Sequence, residues 1–293
     1  MMMWTAMAVA TALVSSCAKE DDPEFEFTDP EAKFMPADSC TDEISQLRRQ
    51  FYADHGLFLL FNDTLSHEFI GTDINGDASY KNELLDIKYE VGQTSTATYK
   101  PTYSYLATAQ KCSQAVEYLE QFILPHLSTR LMPYSWFLAG NIYDTNTSGH
   151  AERPYALSGQ RSIALACGQL SSLKTDAQKK QLAARHLLVI VQNLANNNAS
   201  TFSSFCAVVS SYYGTDLSVP DGETTLNHVR SLGFISNTNV SSYPTQSADI
   251  NAYASLVITY TDEQIEKVYS NYPLIISRAK MFREALESLG YIY

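Results

Sequence analysis

An acidic segment near the start of the chain limits where a folded domain can begin. Residues 18–43 contain ten of the 32 acidic residues and only two basic ones, Lys19 and Lys33, so the segment carries a net charge of about −8. A segment with so much charge and so few apolar side chains cannot bury enough surface to offset the entropy lost on folding. We therefore expect residues 17–43 to be an extended, solvated tether and residues 44–293 to form one globular domain.

The residues before this segment carry no charge. An apolar run from Trp4 to Val14 leads into Ser15-Ser16-Cys17. The run is too short to cross a bilayer, and small residues at its end are typical of a secretory signal peptide, although the usual Lys or Arg at its start is missing. Small residues directly before a cysteine resemble the bacterial lipobox. We expect residues 1–16 to be cleaved off and Cys17 to be lipidated; an ordinary signal peptide with an incidental Cys17 is the alternative.

The distribution of charge bears on location and on partners. An acidic run directly after a lipidated cysteine resembles the surface-export signal of certain Gram-negative lipoproteins. We therefore expect an outer-membrane lipid anchor with the domain at the cell surface, and the periplasmic face is the alternative. The whole chain carries −12 and the acidic segment about −8, which leaves the domain near −4 with no basic patch of the kind that nucleic acid requires. Nucleic acid is therefore not an expected partner.

Four cysteines remain in the domain and its approach: Cys40, Cys112, Cys167 and Cys206. An exported location permits disulfide bonds. None of the four lies in a CxxC pair, so the sequence offers no thiolate zinc motif, and four cysteines allow three different pairings. Two disulfide bonds and four free buried thiols are both consistent with the sequence.

The domain alternates helical and strand patterns. Apolar residues three and four positions apart indicate helices, and short apolar runs between turn residues indicate strands. We predict helices at 45–52, 108–127, 175–196, 249–260 and 261–290, the last kinked near Pro273, and strands at 55–61, 134–142 and 162–167. Thr175 and Thr261 occupy positions typical of helix N-caps. The mixture predicts an α+β fold.

Four stretches of the domain match a known family in their order and spacing. They are Phe51–Phe61, Ala115–Asn141, the helix that contains Arg185–Val191, and the region from Gly233 through Ala252 to the final helix. Together they resemble the zinc-metallopeptidase-like lipoproteins encoded beside outer-membrane glycan-import systems, which are substrate-import-associated zinc metallohydrolase-like lipoproteins. The resemblance covers most of the mature domain. It implies a zincin-like fold, with a small sheet packed on a long helix and a mostly helical C-terminal lobe.

The catalytic motif of that family, HExxH, falls on the long helix. Two histidines four residues apart bind zinc, and the glutamate between them activates a water molecule. Here the motif reads His186-Leu187-Leu188-Val189-Ile190, so leucine replaces the base and isoleucine replaces the second histidine. In the acidic cluster downstream only Asp249 remains, while Ala248 and Ala252 stand where the family tends to carry carboxylates.

These replacements remove most of the chemistry of the motif. A catalytic zinc site uses three protein ligands, whereas only His186, as a vestigial ligand, and Asp249 are left as candidates. We therefore predict no catalytic residues and no bound cofactor, although zinc is the metal of the family. The resemblance then implies a pseudoenzyme that assists the import of nutrients, namely glycans, across the outer membrane and acts by binding. Components of a TonB-dependent import complex are its candidate partners. The alternative is an active zinc metallopeptidase with an unorthodox site.

A second pattern suggests a different metal. Asp73-Ile74-Asn75-Gly76-Asp77 resembles the start of a calcium-binding loop, in which oxygens at positions 1, 3 and 5 converge on the ion. Ala78 takes the position of the invariant glycine, and Leu84 takes that of the bidentate glutamate. An ordinary polar turn is the alternative interpretation.

Overall fold

The computed structural model of the protein describes residues 33–85, 87, 100–145, 149–236 and 241–293. The expected signal peptide, Cys17 and most of the acidic tether fall in residues 1–32, outside the described residues. Among the helices of the described ranges, none is both long and apolar enough to cross a membrane.

The described chain is a mixed α+β domain. Its strands are β1 (Phe58–Leu60), β2 (Thr64–Thr72), β3 (Ala78–Leu84), β4 (Thr102–Ser104), β5 (Ser135–Ala139), β6 (Asn141–Thr145), β7 (Ala151–Glu152), β8 (Ala156–Ser158) and β9 (Ser162–Ala166). Its α-helices are α1 (Glu43–His55), α2 (Ala109–Phe122), α3 (Asp176–Asn197), α4 (Ser203–Ala207), α5 (Thr225–Ser231), α6 (Gln246–Thr259), α7 (Asp262–Val268) and α8 (Pro273–Leu289). Every strand in the described ranges precedes α3, and the described elements after it are helices, as the sequence predicts.

A four-stranded sheet in the order β1-β5-β9-β8 lies at the centre of the domain. Strands β1, β5 and β9 run parallel, and β8 pairs antiparallel at the edge. Successive side chains of a strand point to opposite faces, so Trp136 and Leu138 enter one apolar core while Phe137 and Ala139 enter another. Because both faces are covered, the central strands are continuous apolar runs, which is how they are recognised in the sequence.

Helices α2, α3, α6 and α8 supply the larger core, on one face of the sheet. The longest of them, α3, has Thr175 as its N-cap residue. The Thr175 hydroxyl accepts a hydrogen bond from the Gln178 backbone N–H. The Gln178 side chain accepts from the Thr175 backbone in return. This capping box confirms the predicted start of the helix.

The opposite face of the sheet is covered by Phe34, Ile87 and Ile142, with the smaller strand groups β4-β6-β7 and β2-β3 nearby. Phe34 belongs to the acidic segment, yet it is buried, and the Arg48 guanidinium donates to its carbonyl at 2.7 Å. The folded domain therefore already includes Phe34, and the predicted boundary at residue 44 is wrong. The apolar Phe34 and Met35 explain this, because they interrupt the charged composition of the segment.

The predicted helix at 261–290 is two helices, α7 and α8, separated by residues 269–272. Pro273 is the reason. Proline lacks a backbone N–H and fixes its own φ, so it suits the first position of a helix and interrupts one that arrives from before it. The structure thus places a break where the sequence predicts a kink.

Candidate functional site

His186 lies in the interior of the domain, in the middle of α3. Its side chain is 0 % exposed, and Nδ1 forms a hydrogen bond of 2.7 Å with the hydroxyl of Tyr118 on α2. The ring of Tyr155 lies 6.2 Å away, centroid to centroid, in an edge-to-face arrangement. Two tyrosines therefore occupy the space over the imidazole.

The spacing of α3 explains why this histidine is inside. The buried residues of the helix are three and four positions apart, which places them on one stripe facing the core: Leu182, Ala183, His186, Leu187, Ile190, Val191 and Ala195. Leu187 and Ile190, which replace the base and the second histidine of HExxH, belong to this stripe and to the larger core. The three motif positions thus serve packing in this protein.

Burial determines the charge of the imidazole. Removal from water lowers the pKa of His186 to about 4, against an ordinary value of 6.5, and the nearby Ala166 carbonyl opposes this to a smaller extent. Burial also raises the pKa of the Tyr118 hydroxyl. The pair is therefore neutral at physiological pH. Nε2 makes no hydrogen bond of normal geometry with any residue that the structure describes.

Asp249, the second candidate ligand, is engaged elsewhere. It lies on α6, is buried, and accepts hydrogen bonds at Oδ2 from the Arg278 guanidinium at 2.6 Å and from the Tyr213 hydroxyl at 2.8 Å. Burial raises the pKa of the Asp249 carboxyl, and the hydrogen bonds from Arg278 and Tyr213 act in the opposite direction. His186 and Asp249 share none of these partners.

These surroundings do not fit a zinc ion. A zinc site needs three or four converging nitrogen, sulfur or oxygen ligands. Within the described ranges no group of three or more His, Cys, Asp or Glu side chains is placed to hold one ion. Leu187 and Ile190 are apolar core residues that offer no ligand atom, and Asp249 is paired with the Arg278 guanidinium. We derive no metal chemistry from this arrangement.

Arg278 is a buried charged residue that the sequence analysis does not identify. Its side chain is fully buried on α8, and besides Asp249 it donates to the Gly233 carbonyl at 2.7 Å. Its guanidinium also lies 4.1 Å from the ring centroid of Phe205 and 4.8 Å from that of Tyr253. A signal was present, because Arg278 falls on the apolar stripe of its helix between Ile275 and Phe282.

Gly233 is the backbone element of this cluster. Its φ is +93°, a conformation that side chains with a Cβ rarely adopt, and a Cβ there would lie 3.0 Å from Leu274 and 3.1 Å from Arg278. Its carbonyl accepts from both Arg278 and the Tyr253 hydroxyl. Glycine therefore lets the turn before Phe234 approach α8 closely.

A cavity of about 210 Å³ lies on the far side of Tyr155, at the carboxyl ends of β5 and β9. Its walls include Gly140, Arg153, Tyr155 and Gln169, but not His186. Ligands of open α/β sheets commonly bind at this end of the strands. In this protein Tyr155 both lines this space and contacts the His186 ring.

The structure also shows the surroundings of the remaining sequence candidates. The Asp73 carboxylate accepts hydrogen bonds from the backbone N–H groups of Asn75 and Asp77, in the turn that joins β2 to β3. This is the geometry of a polar hairpin turn. The four cysteines are free thiols, three of them buried, and burial raises the pKa of Cys112 to about 11.

No protein-family model, curated protein or solved structure matches this chain. The resemblance carried by the sequence motifs therefore stays a hypothesis. What the site can do has to be inferred from the residues that form it.

Proposed function

We propose that this protein is a lipid-anchored, exported accessory of outer-membrane nutrient import that acts by binding and not by peptide hydrolysis. The observation that carries the proposal is the state of His186, which is wholly buried and hydrogen-bonded to Tyr118. A histidine that serves catalysis or binds a metal must reach its substrate or ion. This one is enclosed in the interior of the domain.

The import role and the zincin-like fold come from the sequence resemblance. A small sheet covered by α2 and α3 is compatible with that fold, as is the helical C-terminal lobe. The lipid anchor at Cys17 and the surface location follow from the lipobox-like sequence and the acidic run behind it. A tethered binding protein with TonB-dependent transporter components as partners accounts for all of these features.

An assay of peptide hydrolysis distinguishes binding from catalysis. We expect the full chain, purified in detergent and supplied with zinc, to cleave fluorogenic peptides no faster than buffer does. The His186→Gln variant should behave identically. Zinc-dependent cleavage that disappears in His186→Gln would instead favour the metallopeptidase alternative.

Replacing Cys17 with serine tests the tether. A serine hydroxyl cannot be modified as the cysteine thiol is, so the protein should move from the membrane fraction to the soluble fraction when cells are lysed and centrifuged. A neighbouring Ser16→Ala variant, which keeps a small residue before the cysteine, should stay with the membranes. Membrane association of Cys17→Ser would contradict the lipid anchor.

A further inference from the structure

A second, larger cavity opens in the helical half of the domain, away from His186. It has a volume of about 430 Å³ and lies between the end of α6, the start of α7, α8 and residues 291–293. Ligand pockets usually measure roughly 300–1,000 Å³. The cavity is therefore large enough for a small ligand, and no part of the proposed function so far makes use of it.

Tyrosine rings form the sides of this cavity. Tyr260 is 42 % exposed and Tyr293 41 % exposed, although both belong to its lining. Tyr291 lies behind Tyr293 in an edge-to-face contact with a centroid distance of 5.0 Å. A tyrosine side chain offers a large apolar ring together with a polar hydroxyl, so the two partly exposed tyrosines suit a ligand that has both kinds of surface.

The C-terminal segment that carries Tyr291 and Tyr293 is held in place before any ligand arrives. The backbone N–H of Ile292 donates to the His126 carbonyl at 2.9 Å, and His126 Nδ1 lies 2.8 Å from the Ile292 carbonyl. The His126 ring also stacks on Tyr291, at 5.9 Å and an angle of 14°. Binding to a preformed site loses less conformational entropy than binding to a flexible segment.

Arg283 determines which ligand charge the cavity tolerates. Its guanidinium donates to the Tyr260 and Val257 carbonyls, pairs with Asp262 at 2.9 Å, and lies 4.2 Å from the ring centroid of Tyr293. The guanidinium thus lies over one face of the Tyr293 ring, and its positive charge repels a cationic ligand. The exposed carboxylate of Glu263, on the same wall, repels anions.

We propose that this cavity binds a neutral saccharide. A sugar ring presents C–H groups on one face, which pack on an aromatic ring, and hydroxyls around its edge, which carboxylates and carbonyls accept. The cavity provides Tyr260 and Tyr293, both partly exposed, together with the Glu263 carboxylate and the backbone at the start of α7. The inference rests on the proposed function, because it names the class of ligand that the tethered protein binds.

Binding can be tested with the full chain in detergent on an array of neutral, acidic and amino-substituted oligosaccharides. We expect neutral saccharides to bind, and calorimetry with the best of them should show about a tenfold or greater loss of affinity for Tyr293→Ala and for Tyr260→Ala. Tyr80→Ala is the matched control, since Tyr80 is 47 % exposed on the β2-β3 hairpin. It should leave the affinity unchanged.

A charge variant separates a neutral ligand from a cationic one. Glu263→Gln keeps an oxygen acceptor and removes the charge, so the affinity for a neutral saccharide should fall by less than about threefold. A loss of more than about tenfold would indicate recognition of positive charge and overturn the proposal. So would the absence of neutral saccharides among the bound ligands, or binding that depends on Tyr80.

The surroundings of Tyr260 indicate that at least one of the two tyrosine variants keeps the native fold. Tyr260 is exposed, and the contact that its residue makes with Arg283 uses the backbone carbonyl. Tyr260→Ala should therefore keep the thermal unfolding midpoint of the native protein even if Tyr293→Ala does not. Failure of saccharide binding, with hydrolysis still absent, would remove this site and leave the tethered, non-catalytic protein standing.

Discussion

Replacing Arg278 with alanine will lower the free energy of unfolding by about 3–5 kcal/mol, the usual cost of removing one partner of a buried ion pair. The Asp249 carboxylate, which is 2 % exposed in the native protein, would lose its cation. The Gly233 carbonyl and the rings of Phe205 and Tyr253 would lose the guanidinium that they contact. The cluster joins α6 and α8 to the turn at Gly233, so its loss should loosen the helical lobe.

Urea denaturation of the two proteins, followed by circular dichroism, measures this effect. Lys280→Ala is the matched control, because Lys280 lies on the same helix and pairs with Glu266 while both side chains are about half exposed. An exposed pair contributes far less to stability than a buried one. Equal destabilisation by the two variants would contradict a special role for the buried pair.

Acidification from pH 7 to pH 4 will remove about 3 kcal/mol of stability through His186 alone. The unfolded chain binds a proton at the imidazole below pH 6.5, whereas the folded chain does so only below about pH 4. The unfolded state therefore holds more protons in this window, and the stability falls as the pH falls. The magnitude follows from about 1.4 kcal/mol for each pH unit between the two pKa values.

Urea midpoints between pH 7 and pH 4 will show this loss as a difference between the wild type and His186→Gln. Glutamine cannot titrate, and it can still form a hydrogen bond with Tyr118, so its profile should be flatter by the stated amount. His55→Gln is the control, since His55 lies at the surface beside Glu120. Parallel profiles for wild type and His186→Gln would show that His186 is accessible to protons in the folded protein.

The sequence predicts the helical framework well because its signals are local. The apolar spacing of α3 and the Thr175 cap lie within a few turns of one another, and Thr175 is the N-cap residue as expected. The spacing also indicates that Leu187 and Ile190 are core residues. Pro273 similarly marks the boundary between α7 and α8.

The site could not be predicted in the same way, because its contacts join distant parts of the chain. Tyr118 meets His186 across 68 residues, and Arg278 meets Asp249 across 29. Periodicity shows that each of these polar side chains lies on an apolar helix face, but not which partner stands opposite. The opposite charges of Asp249 and Arg278, each on an apolar helix face, do favour an ion pair between them. The resemblance to a metal-binding motif suggests a different role for Asp249.

The sequence does not predict the tyrosine-lined cavity, for the same reason. Tyr260 lies at the end of α6 and Tyr293 beyond α8, and only the packing of α7 and α8 brings them to one opening. The sequence shows many tyrosines, for most of which packing in the core is the simplest interpretation. Position relative to the other helices decides which of them remain exposed.

The zinc content of the purified protein tests the central claim most directly. The full chain and His186→Gln would each be incubated with excess zinc, separated from unbound metal by gel filtration and measured by elemental analysis. A buried, neutral histidine hydrogen-bonded to Tyr118 predicts far less than one zinc per chain, with no difference between the two proteins. One tightly held zinc per chain that is lost in His186→Gln would contradict the account.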